Sequence, residues 1–313
     1  MKRRHLLALG TAAAGTVVSG RTSLAQGTYP DRPITLVVSA PPGGGTDIVA
    51  RLFAEHLSKE FGQQIIIDNK GGGNGNIATA LVAKAKPDGY TLLMQYSAFH
   101  TANPAMIKDL NWAPKDFTGV AMGAFAPQVI VIAKKIPVDN LKDFIAYAKA
   151  NPGKLNYGSW SVGNPVHLGS ALFDTVAGVD MQHVIYKETS QLYTGVATGE
   201  LAYALGTSAT AGPLYRAGKL KSLAIAGPSR LPAYKDVPTV AEAGGPANFE
   251  VSGWTAIAAP RGLPKAVTDK IQRDIEKALA EPDIKERFLS FGYESYTPSR
   301  AQFQQYMDSE SKR

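Results

Sequence analysis

The chain has 313 residues, 44% of them hydrophobic and 19% charged, a globular composition long enough for two lobes with cores of their own, which excludes a disordered chain. With no cysteine there is no disulfide, no Cys-ligated metal and no thiol nucleophile, and the five scattered histidines lack metal-ligand spacing. The formal charge of +7 falls by four to +3 once Lys2, Arg3, Arg4 and Arg21 of the leading segment are set aside, too little to make nucleic acid an expected partner.

Lys2-Arg3-Arg4 precede the apolar run Leu6 to Val18, and Ser23-Leu24-Ala25 offers small residues at a cleavage point. This predicts a signal peptide over residues 1–25 and an exported protein, by the general or the twin-arginine route. The run is shorter than the roughly 20 residues that span a bilayer.

Ile34 to Val38 reads as a buried strand. Ser39-Ala-Pro-Pro-Gly43-Gly44-Gly45-Thr46-Asp47 follows it and opens a helix whose Ile48, Val49, Leu52, Phe53, Leu57 and Phe61 recur at helical spacing until Gly62. A strand ending in a glycine loop that feeds a helix leaves backbone N–H groups free for an anion; the other reading is a tight turn. Gln64 to Asp68 is a second strand, Gly71 to Asn76 a second glycine loop, Ile77 to Ala85 a helix, and Tyr90 to Met94 a third strand ending at Gln95-Tyr96-Ser97. Short apolar strands alternating with helices predict an α/β fold with parallel, helix-covered sheets and ligands beyond the strand ends. Gly73-x-Gly75-x-x-Ala78 fits a loose dinucleotide fingerprint. The acidic residue that should hold the ribose is missing, so no cofactor is expected.

The pattern restarts at Gln128: strand Val129 to Ala133, a helix from Asp139 to Ala150, and strand Leu155 to Gly158. Tyr157-Gly-Ser159-Trp160-Ser161-Val162-Gly163-Asn164 then enters a helix with Asn164 as N-cap, Pro165 in its first turn, an apolar face of Leu168, Leu172 and Val176, and Gly178 as its stop. This second strand-end loop adds two hydroxyls and an indole. Two such loops, one per lobe, would grip a carboxylate from both sides. Trp160 is either a lid over the ligand or lobe packing, and His167, in the first turn, is a surface residue or a donor to the anion. Strand His183 to Tyr186 leads through Lys187-Glu188-Thr189-Ser190 into a short helix, and Gly206-Thr207-Ser208 follows a later strand; both loops fall at the cleft edge, with Lys187 either solvated or offsetting ligand charge. Pro228 to Pro246 reads as a surface excursion, and Gly253 to Pro260, with Trp254, as a strand returning to the first lobe. The lobes are therefore expected to be 26–125 plus 251–313, and 126–250, joined by crossing strands. Ser161 sits near a nucleophile-elbow pattern, but Ser159 replaces its first glycine and no histidine follows His183, which leaves an exported serine hydrolase as the rival reading.

Taken together, Tyr29-Pro-Asp-Arg-Pro-Ile34, Pro42-Gly-Gly-Gly-Thr-Asp47-Ile-Val-Ala-Arg51, Asn69-Lys70, Pro87-Asp-Gly-Tyr-Thr-Leu92, Ala150-Asn-Pro-Gly-Lys-Leu155, Tyr157-Gly-Ser159, His167-Leu168, Tyr186-Lys187, Gly218-Lys-Leu220 and Asp236-Val-Pro-Thr-Val-Ala-Glu-Ala-Gly244 resemble the periplasmic receptors of tripartite tricarboxylate transporters, the Bug family. The resemblance covers almost the whole chain after the signal segment. It implies a two-lobed, type II Venus-flytrap fold, working as a monomer without catalysis or metal, that closes over a small carboxylate and delivers it to a membrane permease; a partner that presents ligand to a membrane sensor would share the fold. Carried over by position, the binding loops fall on Gly43 to Asp47, Ser97, Ser159 to Asn164 and the loop after Tyr186. Glu188 and Trp160 depart from the family pattern, which has glycine and a small residue there. They suggest a bulkier, aromatic carboxylate, with Trp160, Phe99 and Trp254 lining the pocket.

Overall fold

The structure, a computed structural model, describes residues 29–99 and 102–294, and beyond these 298, 299, 301–303, 305, 306 and 309. The expected signal segment, residues 1–25, lies outside them. In chain order the elements are β1 (Ile34–Val38), α1 (Gly45–Phe61), β2 (Ile65–Asn69), α2 (Asn76–Ala83), β3 (Thr91–Tyr96), α3 (Asn103–Met106), β4 (Phe117–Ala133), α4 (Leu141–Lys149), β5 (Leu155–Ser159), α5 (Pro165–Ala177), β6 (Met181–Ile185), α6 (Thr189–Thr198), β7 (Tyr203–Gly206), α7 (Ser208–Arg216), β8 (Leu220–Ala226), β9 (Ser252–Pro260), α8 (Lys265–Ala280) and α9 (Pro282–Phe291).

One strand organises both lobes. From Phe117 to Pro127, β4 runs antiparallel to β9, which pairs on its other side with β3 in the order β2-β1-β3-β9-β4. From Gln128 its partners become β7 and β8, and the order continues through β7 to β5 and β6. Pro127, which has no N–H to give a ladder, stands where the partners change. The fold is a two-lobed type II binding-protein fold, each lobe built on a sheet flanked by helices.

Each sheet is covered on both faces. In the first lobe Leu36, Val38 and Met94 pack with Phe53, Ile271, Ile275 and Phe288, while Val37 and Leu93 face Ala78, Val82, Phe99 and Trp112. In the second, Ile130, Ile132 and Leu205 pack with Phe144, Phe173 and Tyr203, and Val129, Val131 and Ala204 with Leu192, Val196 and Tyr234.

Three sequence expectations are corrected. The face of α5 turned inward is Val166, Gly169, Ser170, Phe173 and Ala177, whereas Leu168, Leu172 and Val176 are exposed. The two stripes interleave on one helix, and the aromatic ring of Phe173 decides which is buried. The Pro-rich stretch after β8 is no loose excursion: Ile225 exchanges backbone hydrogen bonds with Pro238 and Val240, and the stretch buries its own Leu231, Tyr234 and Val237 against the second lobe's core, so it covers the β8 edge. The strand expected from Val129 begins at Phe117.

Candidate functional site

The loop after β1 is held from behind. Asp47, 2% exposed, accepts hydrogen bonds from the Gly43 N–H (2.9 Å), the Arg51 guanidinium (2.9 Å) and the Asn69 amide (3.0 Å). Gly43 has φ +72°, open to glycine at little cost. Asp47 thus fixes the loop and has no free oxygen pointed at the cleft. Among the described residues no side chain caps α1, whose N-cap is Gly44, so its first-turn N–H groups and the positive end of its dipole are open to an anion.

Those N–H groups open onto a cavity of about 60 Å³ between the lobes. It is lined by Gly44, Gly45 and Thr46 at the start of α1, Pro165 and Val166 at the start of α5, Thr189 at the start of α6, and Thr207 and Thr210 around the start of α7. Four helix N-termini therefore converge on one space. The approach is close: a Cβ on Gly44 would lie 3.3 Å from the Thr189 hydroxyl, and one on Gly45 3.0 Å from the Tyr293 hydroxyl. No lysine, arginine or histidine is among the described lining residues. The α5 and α7 ends are already capped, the first by the Asn164 carbonyl oxygen, which accepts from the Val166 and His167 N–H groups, the second by Thr207, which accepts from the Thr210 N–H. The α6 end, like that of α1, has no side-chain cap among the described residues.

The remaining wall is aromatic and apolar: Trp160, Trp254, Tyr96, Tyr193, Tyr293, Ala124 and Ala126. Burial pushes the Tyr193 phenol up to about 12, against the Thr210 hydroxyl that lowers it, and raises Tyr96 and Tyr293 as well. All three phenols stay neutral donors at physiological pH. Pro41, Tyr96 and Trp160 also border an outer vestibule of about 320 Å³, which adds Asn74, Ser161, Lys187 and Glu188. Tyr96 from the first lobe meets Trp160 from the second edge to face, 6.4 Å between centroids, so this pair separates cavity from vestibule. Above it the Asn74 carbonyl oxygen accepts from the Tyr96 hydroxyl (2.7 Å) and the Ser161 hydroxyl (3.2 Å), tying the lobes together; Asn74 in turn donates to Asn103 (2.7 Å).

Of the residues singled out from sequence, Gly44, Gly45, Thr46, Trp160, Thr189, Thr207 and Trp254 meet at the cavity, and Ser161, Lys187 and Glu188 at the vestibule. The others stand elsewhere. Phe99 is stacked on Trp112 at 4.6 Å in the first lobe's core, off the cavity. The Ser159 hydroxyl is fully buried, donating to the Ser161 carbonyl (2.9 Å) and lying 2.7 Å from His183 Nε2. Asn164 is spent on capping α5, Val162 is exposed, and Ser208 is packed beside Gly292. Ser97 is buried at the end of β3 and lines neither space. His167 accepts from the Gly163 N–H and lies against His183, the ring centroids 4.3 Å apart and the planes tilted by 45°; burial lowers both imidazoles, His183 to about 4 with help from the neighbouring His167 charge.

Sequence reasoning missed Tyr96, Asn74, Gln128, Tyr193, Thr210, Thr255 and Tyr293. One signal was available for Gln128 and Thr255: a lone polar residue inside an otherwise apolar strand run.

The model of the tripartite tricarboxylate transporter family receptors matches residues 49–313. The chain belongs to this receptor family. A curated UPF0065 protein of Pseudomonas sp. (strain P51) is 33% identical over 290 residues, covering 93% of this chain and 86% of the relative. Among solved structures, Rpa4515 of R. palustris with adipate superposes with a TM-score of 0.87 at 33% identity, covering 91% of this chain and 95% of that one. The periplasmic binding protein BugD superposes with a TM-score of 0.85 at 30% identity, covering 91% and 95%. Receptors of this family bind small carboxylates and work with membrane transporters; they are solute-binding proteins, not enzymes, which overturns the hydrolase reading of Ser161.

Proposed function

We propose that this receptor works in the periplasm, after removal of residues 1–25, as a monomer that captures a small carboxylate between lobe 1 (26–125 plus 251–313) and lobe 2 (126–250) and presents it to a membrane permease. The observation that carries this reading is the convergence of helix N-termini on a cavity with no cationic side chain among its described lining residues. A carboxylate there takes the free N–H groups of α1 and α6 and the hydroxyls of Thr46, Thr189 and Thr207. Each hydrogen bond to a charge contributes about 1.5–3 kcal/mol, and micromolar binding needs about 8 kcal/mol, so a few of them are enough. The closed form, with Trp160 over Tyr96 and Ser161 bonded to Asn74, is favoured because only there do both lobes touch the anion.

The cavity holds about five waters' worth of space, the size of one ring with its carboxylate. Its aromatic walls favour a flat apolar body over a second charge, with Trp160 and Trp254 in the role also expected of Phe99. Calorimetry with aliphatic and aromatic mono- and dicarboxylates decides this. The reading predicts that benzoate-like acids outbind succinate- and citrate-like ones; the reverse order removes the aromatic ligand and leaves the carboxylate site.

A further inference from the structure

The two strands that cross between the lobes contribute two polar side chains to the wall of the same cavity. Gln128 of β4, where the strand changes partners, is 4% exposed, and Thr255 of β9 is 8% exposed; both line the cavity. Both carry an orphaned oxygen: Gln128 Oε1 and Thr255 Oγ1 find no hydrogen-bond partner among the described residues. A buried carbonyl oxygen without a donor is costly and uncommon. It is retained here on a wall otherwise made of Ala124, Ala126, Gly253 and Trp254, where a leucine would pack without penalty.

The orientation of the amide has a physical reason. Gln128 Nε2 faces the Ala126 carbonyl oxygen at 3.5 Å, so turning the amide over sets two oxygens against each other. The group offered to a ligand is therefore an acceptor, and it requires a donor. A second carboxylate is the wrong partner, since it brings only acceptors and meets no lysine or arginine among the described lining residues. An ammonium is also wrong, because no carboxylate is among the described lining residues to balance it; Asp47 is turned to Arg51 and Asn69 behind the glycine loop.

We propose that Gln128 and Thr255 form a second recognition point that reads a neutral hydroxyl, so that the ligand class is a singly charged hydroxy-carboxylate: its carboxylate at the helix ends, its hydroxyl donating to Gln128 Oε1 and accepting from or donating to Thr255. This rests on the carboxylate site proposed above and adds what that site cannot supply, discrimination between an acid and its hydroxylated form. A site built to bond a hydroxyl rejects the analogue lacking it, because its own buried groups are then left unpaired. Gln128 and Thr255 are specificity-determining residues on this reading, and the apolar body between the two points sets only the spacing.

The test is isothermal titration of the full chain with matched pairs: benzoate against its three monohydroxy isomers, and butanoate against its 2-, 3- and 4-hydroxy forms. The wild type is expected to bind one hydroxylated acid about tenfold or more tighter than its parent. Gln128→Leu should bring that ratio to within about twofold, chiefly by weakening the hydroxylated acid, and leave the melting temperature unchanged or higher, because it removes an unsatisfied group without opening a cavity. Thr255→Val, a smaller change on a different strand, should lower the same ratio and serves if Gln128→Leu does not fold. Equal binding within every pair, or a ratio that survives both substitutions, overturns the subsite while leaving the carboxylate site standing. Absence of binding to every acid of both sets overturns the two together.

Discussion

Asp47 shows how one buried side chain prepares a site it does not touch. Its three hydrogen bonds, to Gly43, Arg51 and Asn69, hold the glycine loop so that the α1 N–H groups face the cavity. Arg51 is half exposed, so its ion pair counts for less than the buried backbone contact. Asp47→Ala is expected to cost about 2–3 kcal/mol in a denaturant titration and to weaken ligand binding as well, since the loop loses its tether. Trp160→Ala makes the opposite split: a half-buried indole between cavity and vestibule should cost little in melting temperature but weaken binding by about tenfold or more. Unchanged affinity would reduce Trp160 to lobe packing. Two titratable groups in the second lobe oppose each other. His183, lowered to about 4 mainly by burial, contributes stability present above its ordinary pKa of about 6.5 and lost as pH falls toward about 4. Asp174, raised to about 7 mainly by burial, contributes stability present below its ordinary pKa of about 3.9 and lost as pH rises through about 7. Between pH 7 and 5 the two slopes have opposite sign. Asp174→Asn should therefore make the second lobe lose stability on acidification across that window, and His183→Phe should make it gain, as read by melting temperature against pH.

At the level of elements, the sequence was most legible where local chemistry and tertiary packing agree. Asn164-Pro165 starts α5 and Gly178, in the left-handed region, ends it; Gly62 does the same for α1. It was least legible in β4, where Gly119, Gly123 and Pro127 look like punctuation. In the structure these glycines are packing devices: a Cβ on Gly119 would strike the Phe303 ring at 2.6 Å, and one on Gly123 the Thr255 hydroxyl at 2.7 Å. A glycine that admits a neighbour's side chain reads in sequence like one that turns the chain. The choice of face on α5 was hidden for another reason. Leu168, Leu172 and Val176 have helical spacing as regular as the stripe through Phe173, and only the tertiary neighbours Phe144, Tyr203 and Phe249 select the latter. Leu172→Ser should change stability by no more than about 0.5 kcal/mol, and Phe173→Ala should cost about 3–5 kcal/mol, both read by urea unfolding.

For the molecule as a whole, the proposed binding mode follows from topology. Strand-to-helix loops of both sheets meet at one place, so the helices they start bring backbone N–H groups and dipoles together with no cationic side chain among the described residues that line the cavity. The glycine loop before α1 was legible as one jaw of this arrangement; the aromatic gate of Tyr96 and Trp160 and the Asn74–Ser161 bond across it were not, because they join residues far apart in sequence whose pairing exists only once the lobes face each other. The central claim is that helix ends, not cations, hold the anion. It is tested most directly by calorimetric titration of the wild-type receptor with a carboxylate and its isosteric amide, benzoate beside benzamide and adipate beside adipamide. The account predicts micromolar binding of at least one acid and a loss of about a hundredfold or more for its amide; an amide that binds as tightly as its acid would contradict it.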